Sequence, residues 1–168
     1  SLPLLTDLQT QLKDYQTAIN NQFQPKTERF SFVSFHQAYG YEEFVEGIRP
    51  KIADNGQMTY SVEQGAFLKL CERAKDDPNH RYAMLIDEIN RANVSRVFGE
   101  LMSLIEPSKR VGQANALSVN LAYSHKPFSV PSNVDIYATM NTQDHSLTPL
   151  DMAFRRQIGR ASCRERVF

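Results

Sequence analysis

Two adjacent carboxylates, Asp87 and Glu88, directly follow a continuous apolar run at residues 81–86. A strand without polar alternation is normally buried on both faces of a parallel α/β sheet, and ligands bind at the carboxyl ends of such strands. Nucleotide hydrolysis needs Mg²⁺ near the phosphates and a residue that orients or deprotonates the attacking water. Because successive strand residues point in opposite directions, the two carboxylates could serve these two partners separately. Taken alone, the pair also fits a solvated acidic turn, and both interpretations stay open.

Polar residues further along the chain could complete such a site. Asn141 follows a second apolar run at residues 134–140, where its amide could hold the attacking water or a terminal phosphate. On its own, Asn141 is more simply a turn-forming residue. Arg155 and Arg156 could neutralise charge on a transferring phosphoryl group, although paired arginines on a helix are usually solvated.

The segments that must position these residues alternate between strand-like and helix-like patterns. We predict strands at residues 30–35, 81–86 and 134–140, and helices at residues 4–19, 65–75, 94–105 and from residue 150. Residues 39–50 mix aromatics, acids and glycine without a clean period, which predicts a structured loop. Residues 107–126 are polar and predict a hairpin or an insertion. The alternation as a whole predicts a layered α/β fold.

Composition narrows the class of protein. The 168 residues carry no formal net charge, so no basic or acidic excess indicates a polyanionic or polycationic partner. Cys71 and Cys163 are too few for a disulfide framework or a zinc site. No apolar run approaches the roughly 20 residues of a membrane helix. We therefore expect one reduced, cytoplasmic, soluble domain without membrane association.

Several blocks in this order resemble one known family. Residues 32–50, 85–110, 128–146 and 147–156 together closely resemble McrB, the AAA+ GTPase subunit of modification-dependent (5-methylcytosine-specific) restriction systems. The resemblance covers residues 29–156, most of the chain. It implies a partial AAA+ P-loop core at residues 1–156, a three-layer α/β fold with a mostly parallel sheet, truncated at both ends.

The resemblance also implies roles for the candidate residues. Asp87 would be the Walker B residue that binds Mg²⁺, and Glu88 the hydrolytic glutamate. Asn141 would be the sensor asparagine and would contact the bound GTP or ATP together with Asp144. Tyr41 and Phe44 follow the first predicted strand, where AAA+ rings place a loop facing the pore. They could be pore aromatics, or they could simply pack the domain.

Guanine preference is implied by the same family through an Asn-Thr-Ala-Asp stretch. This chain has Asn-Thr-Gln-Asp at residues 141–144, with Gln143 for alanine and His145 for the usual arginine. The departure leaves both GTP and ATP open as substrates.

The family's quaternary arrangement gives the arginine pair a role. Arg155 and Arg156 would reach the nucleotide of a neighbouring subunit in a ring, expected to be a hexamer. A McrC-like endonuclease subunit would be the partner, and DNA would be contacted through the complex.

A phosphate loop is missing from the sequence. Its pattern, G-x-x-x-x-G-K-[ST], supplies glycine amides and a lysine to the phosphates, and no two of the seven glycines have this spacing. AAA+ sheets have the strand order 5-1-4-3-2, and the three predicted strands correspond to the second, third and fourth. We therefore expect the first strand and its phosphate loop before Ser1, and the fifth strand and helical lid after Phe168.

The last residues look foreign to the family. McrB-like chains continue the arginine pair with a third arginine and an aromatic residue, whereas residues 157–168 resemble the translation of a sequencing adapter. We expect this segment to be a non-native tail and exclude it from functional reasoning.

The sequence thus predicts a fragment of a McrB-like NTPase whose GTP or ATP hydrolysis drives DNA cleavage by the endonuclease partner. The fragment alone should be inactive, because phosphate binding depends on the missing loop. Two alternatives remain: a general AAA+ ATPase remodeller that does not act on DNA, and a non-catalytic binding domain whose strand happens to end in Asp-Glu.

Overall fold

A computed structural model describes residues 28–53 and 56–140 of the chain. The helix predicted at residues 4–19 and the tail lie outside these ranges, as do Asn141, Asp144, Arg155 and Arg156. In chain order the elements are β1 (Phe30–Ser34), α1 (Tyr41–Phe44), β2 (Glu46–Ile52), β3 (Met58–Gln64), α2 (Ala66–Asp76), β4 (Tyr82–Asp87), α3 (Val94–Phe98), β5 (Val119–Asn120), β6 (Pro127–Phe128) and β7 (Val134–Ala138). Short 3₁₀ turns cover Ile89–Arg91, Gly99–Ser103 and Pro107–Lys109.

A parallel sheet with the order β1-β4-β7 forms the centre of the described structure. All three strands predicted from apolar runs are present. Ser34 of β1 pairs with Asp87 of β4, and Ala138 of β7 pairs with Ile86 of β4. The carboxyl ends of the three strands therefore meet at one edge. This order matches the second, third and fourth strands of an AAA sheet. The predicted α/β class is confirmed.

One face of this sheet carries the hydrophobic core. Alternate side chains of β4 (Tyr82, Met84 and Ile86) are fully buried against the helices. The opposite side chains of β4 are only half-buried, and on the flanking strands Phe30 and Tyr137 are 61% and 54% exposed. The prediction that β4 is buried on both faces is therefore wrong for the described residues, because only the side chains of one face of β4 belong to the buried cluster.

Residues 39–50, predicted as a loop, contain α1 and the first part of β2, which forms an antiparallel hairpin with β3. Its register pairs Ile48 with Val62 and Ile52 with Met58. The loop prediction was wrong because β2 is paired with a strand that follows it in the chain, and because its apolar side chains lie on an exposed face. Ile48 and Ile52 are 52% and 80% exposed, so burial does not impose the usual strand pattern.

The helix predicted at residues 94–105 is interrupted at Gly99. Gly99 has φ +52°, which ends α3 and starts a 3₁₀ turn. A Cβ built at Gly99 would lie 3.0 Å from the ring of Tyr41, so glycine is also favoured by the close approach of α1. The apolar side predicted for this segment is confirmed, since all six of its residues are buried: Val94, Val97, Phe98, Leu101, Leu104 and Ile105.

Tyr41 and Phe44 pack the domain and are not pore aromatics. Phe44 is fully buried and stacks on Phe67, with ring centroids 5.2 Å apart. The Tyr41 hydroxyl donates a 2.5 Å hydrogen bond to Glu100 and accepts one of 3.2 Å from the Ala122 amide. Burial and these hydrogen bonds fix both side chains inside the fold.

Within the segment predicted as a hairpin or an insertion lies β5, which pairs with β6 just beyond residue 126, so a hairpin is present but ends later than predicted. The buried Glu46 carboxylate holds this segment in place, because it accepts backbone hydrogen bonds of 2.8 Å from both Tyr123 and Ser124. Among the helices of the described ranges, none has the length and apolar character needed to cross a membrane.

Candidate active site at the end of the central strand

Asp87 is the last residue of β4, the middle strand of the sheet. Its carbonyl accepts a 2.9 Å hydrogen bond from the Phe35 amide, which ties the end of β4 to the end of β1. Its half-buried carboxylate accepts a hydrogen bond from the Thr139 hydroxyl, which follows β7. The carboxylate therefore stands where three parallel strands end, the edge at which α/β sheets bind ligands.

Glu88 lies outside the strand, in the left-handed backbone region with φ +51° and ψ +47°. Left-handed backbone is uncommon for a residue with a side chain and costs of order 1–2 kcal/mol. The alternation expected from strand geometry does not extend to Glu88, because this turn, not the pleat, sets the direction of its side chain. Its carboxylate lies 2.6 Å from Nε of Arg91, and the chain between them forms the Ile89–Arg91 turn.

Thr139 connects the end of β7 to both acidic residues. Its amide donates a 2.9 Å hydrogen bond to the Ile86 carbonyl, and its carbonyl accepts a 3.0 Å bond from the Ile89 amide. Its hydroxyl accepts a 3.2 Å bond from the Glu88 amide while donating to Asp87. Thr139 was not among the candidate residues predicted from the sequence, although it lies near the end of the strand predicted at residues 134–140, which ends at the same edge.

The predicted site residues are only partly covered by the structure. Asp87 and Glu88 lie together at the predicted sheet edge. Asn141 and Asp144 lie outside the described residues, so their approach to the acidic pair stays a prediction. The same holds for the arginine pair.

The oxygen atoms at this edge suit Mg²⁺. Mg²⁺ prefers oxygen ligands and is commonly held by one or two carboxylates, with substrate phosphates and water completing the shell. The half-buried Asp87 carboxylate, with one of its oxygens bonded to a neutral hydroxyl, fits this use. Within the described ranges no group of three or more His, Cys, Asp or Glu residues is placed to hold a metal ion.

Burial is the main cause of the pronounced pKa shifts in the described part of the chain. Burial raises the pKa of Tyr39 to about 12, and it also raises the pKa of the Cys71 thiol. Burial lowers the pKa of Arg110, whose guanidinium is enclosed by backbone carbonyls. These groups belong to the core and do not indicate a second catalytic cluster.

A parallel sheet with two adjacent carboxylates where its middle strand ends is typical of nucleotide-binding α/β cores. The sequence agrees, since the AAA domain family of the dynein-related subfamily matches residues 13–158. The chain belongs to this family.

Two bacterial relatives share sequence with the chain. It is 45% identical over 133 residues to the type IV methyl-directed restriction enzyme EcoKMcrB subunit of Escherichia coli K12, a match that covers 77% of this chain and 27% of that protein. It is 27% identical over 160 residues to the type II restriction enzyme BsuMI component YdiS of Bacillus subtilis 168, covering 76% of this chain and 46% of that protein. The chain thus spans less than half the length of either relative. The resemblance to the McrB family is confirmed.

Proposed function

We propose that this chain is the metal-binding and hydrolytic part of an AAA nucleoside-triphosphatase that works in a restriction system. The observation that carries the proposal is the placement of Asp87 and Glu88 where the middle of three parallel strands ends. The two relatives support the biological setting, since both are named as restriction-enzyme components. The substrate would be GTP or ATP.

The two carboxylates would divide the work. Asp87 would hold Mg²⁺ with the oxygen that does not accept from Thr139, and the metal would offset charge on the phosphates. Glu88 would orient the attacking water or accept its proton. The ion pair uses Oε2 of Glu88, and the Glu88 side chain is 32% exposed, so Oε1 would be available to the water while the pair with Arg91 stays closed.

The remaining roles are part of the same proposal. Asn141 would contact the attacking water or the terminal phosphate, and Asp144 would belong to the stretch that selects the base. Arg155 or Arg156 would act on the nucleotide of a neighbouring subunit in a ring, expected to be a hexamer. Hydrolysis would drive DNA cleavage by a McrC-like endonuclease partner in the cytoplasm.

Two substitutions in the intact protein test the division of work. Glu88→Gln should retain nucleotide binding and lose turnover by roughly 10²–10⁴-fold, since an amide cannot accept the proton. Asp87→Asn should instead weaken the magnesium-dependent part of nucleotide binding. Calorimetry with and without Mg²⁺ and steady-state phosphate release measure the two effects.

Glu63→Gln is the matched control, because Glu63 forms an ion pair with Lys51 on the β2–β3 hairpin, away from the sheet edge. This variant should leave both the nucleotide binding, with and without Mg²⁺, and the rate of phosphate release unchanged. Wild-type turnover in both site variants would show that the Walker B assignment is wrong.

A further inference from the structure

The junction between β4 and β7 is held by one residue through four hydrogen bonds. Thr139 bonds to Ile86 and Ile89 through its backbone, and to Asp87 and Glu88 through its hydroxyl. Its side chain is exposed at the sheet edge and contributes nothing to the buried core. The hydroxyl is therefore placed to act on the two acidic residues rather than to fill space.

Each side-chain bond constrains a different acidic residue. A hydroxyl is both a donor and an acceptor, and Thr139 uses both capacities here. By donating to Oδ1 of Asp87 it fixes the rotation of that carboxylate and leaves Oδ2 for another ligand. By accepting from the amide of Glu88 it bonds the backbone of the residue in the left-handed conformation. One hydroxyl thus links the metal-binding carboxylate to the turn that presents the second carboxylate.

We propose that Thr139 is a positioning residue that sets the relative placement of Asp87 and Glu88. The inference rests on the proposed nucleotide hydrolysis by this site. A hydroxyl at this position fixes both acidic residues relative to the end of β7. Its role is to position them, without contacting metal or substrate itself. Valine has nearly the shape of threonine but would leave both polar groups without this partner, whereas serine would keep both bonds.

The test compares Thr139→Val and Thr139→Ser in the intact protein, with Thr59→Val as a matched control. Thr59 is an exposed threonine on β3 whose hydroxyl donates to the Lys51 carbonyl. Three quantities are measured: kcat and KM for the nucleotide, the Mg²⁺ concentration at half-maximal rate, and the melting temperature. Glu88→Gln is run beside them to establish that the measured turnover depends on the proposed site.

We expect Thr139→Val to lower kcat about tenfold or more and to raise the half-saturating Mg²⁺ concentration several-fold. The nucleotide KM should change less than about threefold, since the nucleotide is held by other groups. The melting temperature should shift by no more than about 2 °C, because water can replace these bonds at an exposed site. Thr139→Ser, which keeps the hydroxyl, should have the kcat and the Mg²⁺ dependence of the wild type. Thr59→Val should also match the wild type.

The proposal is overturned if the valine variant keeps wild-type kcat and Mg²⁺ dependence, or if serine fails to restore them. It is also overturned if the valine defect only follows a loss of folded protein measured by circular dichroism. Should the valine variant not fold, Thr139→Ala removes the hydroxyl without adding bulk and takes its place. Failure of the proposed function itself would show differently, as wild-type turnover in Glu88→Gln whatever the result at Thr139.

Discussion

The Glu88 carboxylate lies 2.6 Å from Nε of Arg91, across a turn that Glu88 opens in the left-handed conformation. The Arg91 amide also donates a 2.9 Å hydrogen bond to the Glu88 carbonyl. The residue proposed as the hydrolytic group is therefore held by a local ion pair and by an unfavourable backbone conformation. These two features can be separated by substitution.

The first prediction concerns the strength of the ion pair. Glu88 and Arg91 side chains are 32% and 44% exposed, so solvent screens their attraction. A double-mutant cycle with Glu88→Gln and Arg91→Ala should give a coupling energy below about 1 kcal/mol in urea unfolding. Such a weak pair can open during turnover. A coupling of about 2 kcal/mol or more would mean that the pair locks Glu88 in place.

The second prediction concerns the backbone of Glu88. Both Glu88→Gly and Glu88→Ala remove the ion pair, but only glycine relieves the left-handed strain. The glycine variant should be more stable than the alanine variant by about 1 kcal/mol. Thermal or urea unfolding of the two variants measures the difference. Equal stability, or a more stable alanine variant, would contradict the left-handed assignment.

The third prediction tests a ring with shared sites. An arginine supplied by a neighbouring subunit is worth roughly 10³–10⁵ in rate, with little effect on ground-state binding. Alanine at Arg155 or Arg156 in the intact protein should therefore bind nucleotide and turn over slowly. Mixing that variant with Glu88→Gln should restore part of the activity, because some interfaces then combine an intact Glu88 with an intact arginine.

Mixing ratios separate the alternatives for this pair. An arginine acting within its own subunit gives no rescue at any ratio, and a solvated pair gives near-normal rates for the single variants. An inactive profile at all ratios, with mixed assembly shown independently, would rule out action across the interface.

The fourth prediction concerns Arg110. Its buried guanidinium connects the segment just after the Gly99–Ser103 turn to the start of β7. It donates two hydrogen bonds to the Ile105 carbonyl, of 3.2 and 2.8 Å, and one to the Val134 carbonyl. Arg110→Met should lower the free energy of unfolding by about 2–4 kcal/mol, because both carbonyls lose these charged donors. Arg49→Met, at an exposed arginine 3.7 Å from Glu43, should cost less than about 0.5 kcal/mol. Similar losses for the two variants would contradict the structural role of Arg110.

The fifth prediction concerns stability in acid. Hydrogen bonds from His80 first, and also from Tyr82, hold the pKa of Asp77 below its usual value of 3.8. The charged form is therefore favoured in the folded state, so the contribution to stability is present above the unfolded pKa and lost as pH falls through the folded pKa. Asp77→Asn should be less stable than wild type at neutral pH, with the difference shrinking below about pH 4.

His80→Ala is the control for the acid effect, since it removes the largest cause of the Asp77 shift. In that background, Asp77→Asn should change the pH dependence of urea unfolding much less. A constant difference between wild type and Asp77→Asn down to pH 2 would contradict the assignment.

The strands of the central sheet were predictable because two of them are compact apolar segments and the first alternates apolar residues with serine. Residues 30–35 and 134–140 contain the observed strands, residues 81–86 contain all of β4 except Asp87, and the parallel pairing agrees with the α/β expectation. The hairpin β2–β3 was missed, since its apolar face is exposed and its register depends on a partner strand. The break at Gly99 was missed because the apolar side of the segment continues through it unchanged.

The sequence by itself determined that two carboxylates follow an apolar strand, and with the family resemblance it identified the AAA class and predicted the site residues. Only the tertiary structure decided how the carboxylates are held. The left-handed turn at Glu88, its contact with Arg91, and the two bonds from Thr139 have no signature in the apolar pattern. Thr139 follows Glu88 by 51 residues and Asp87 by 52 residues in the chain. The parallel pairing of β4 with β7 brings the three residues together. A periodicity reports which face a residue occupies, whereas a hydrogen bond between strands depends on register, which folding sets.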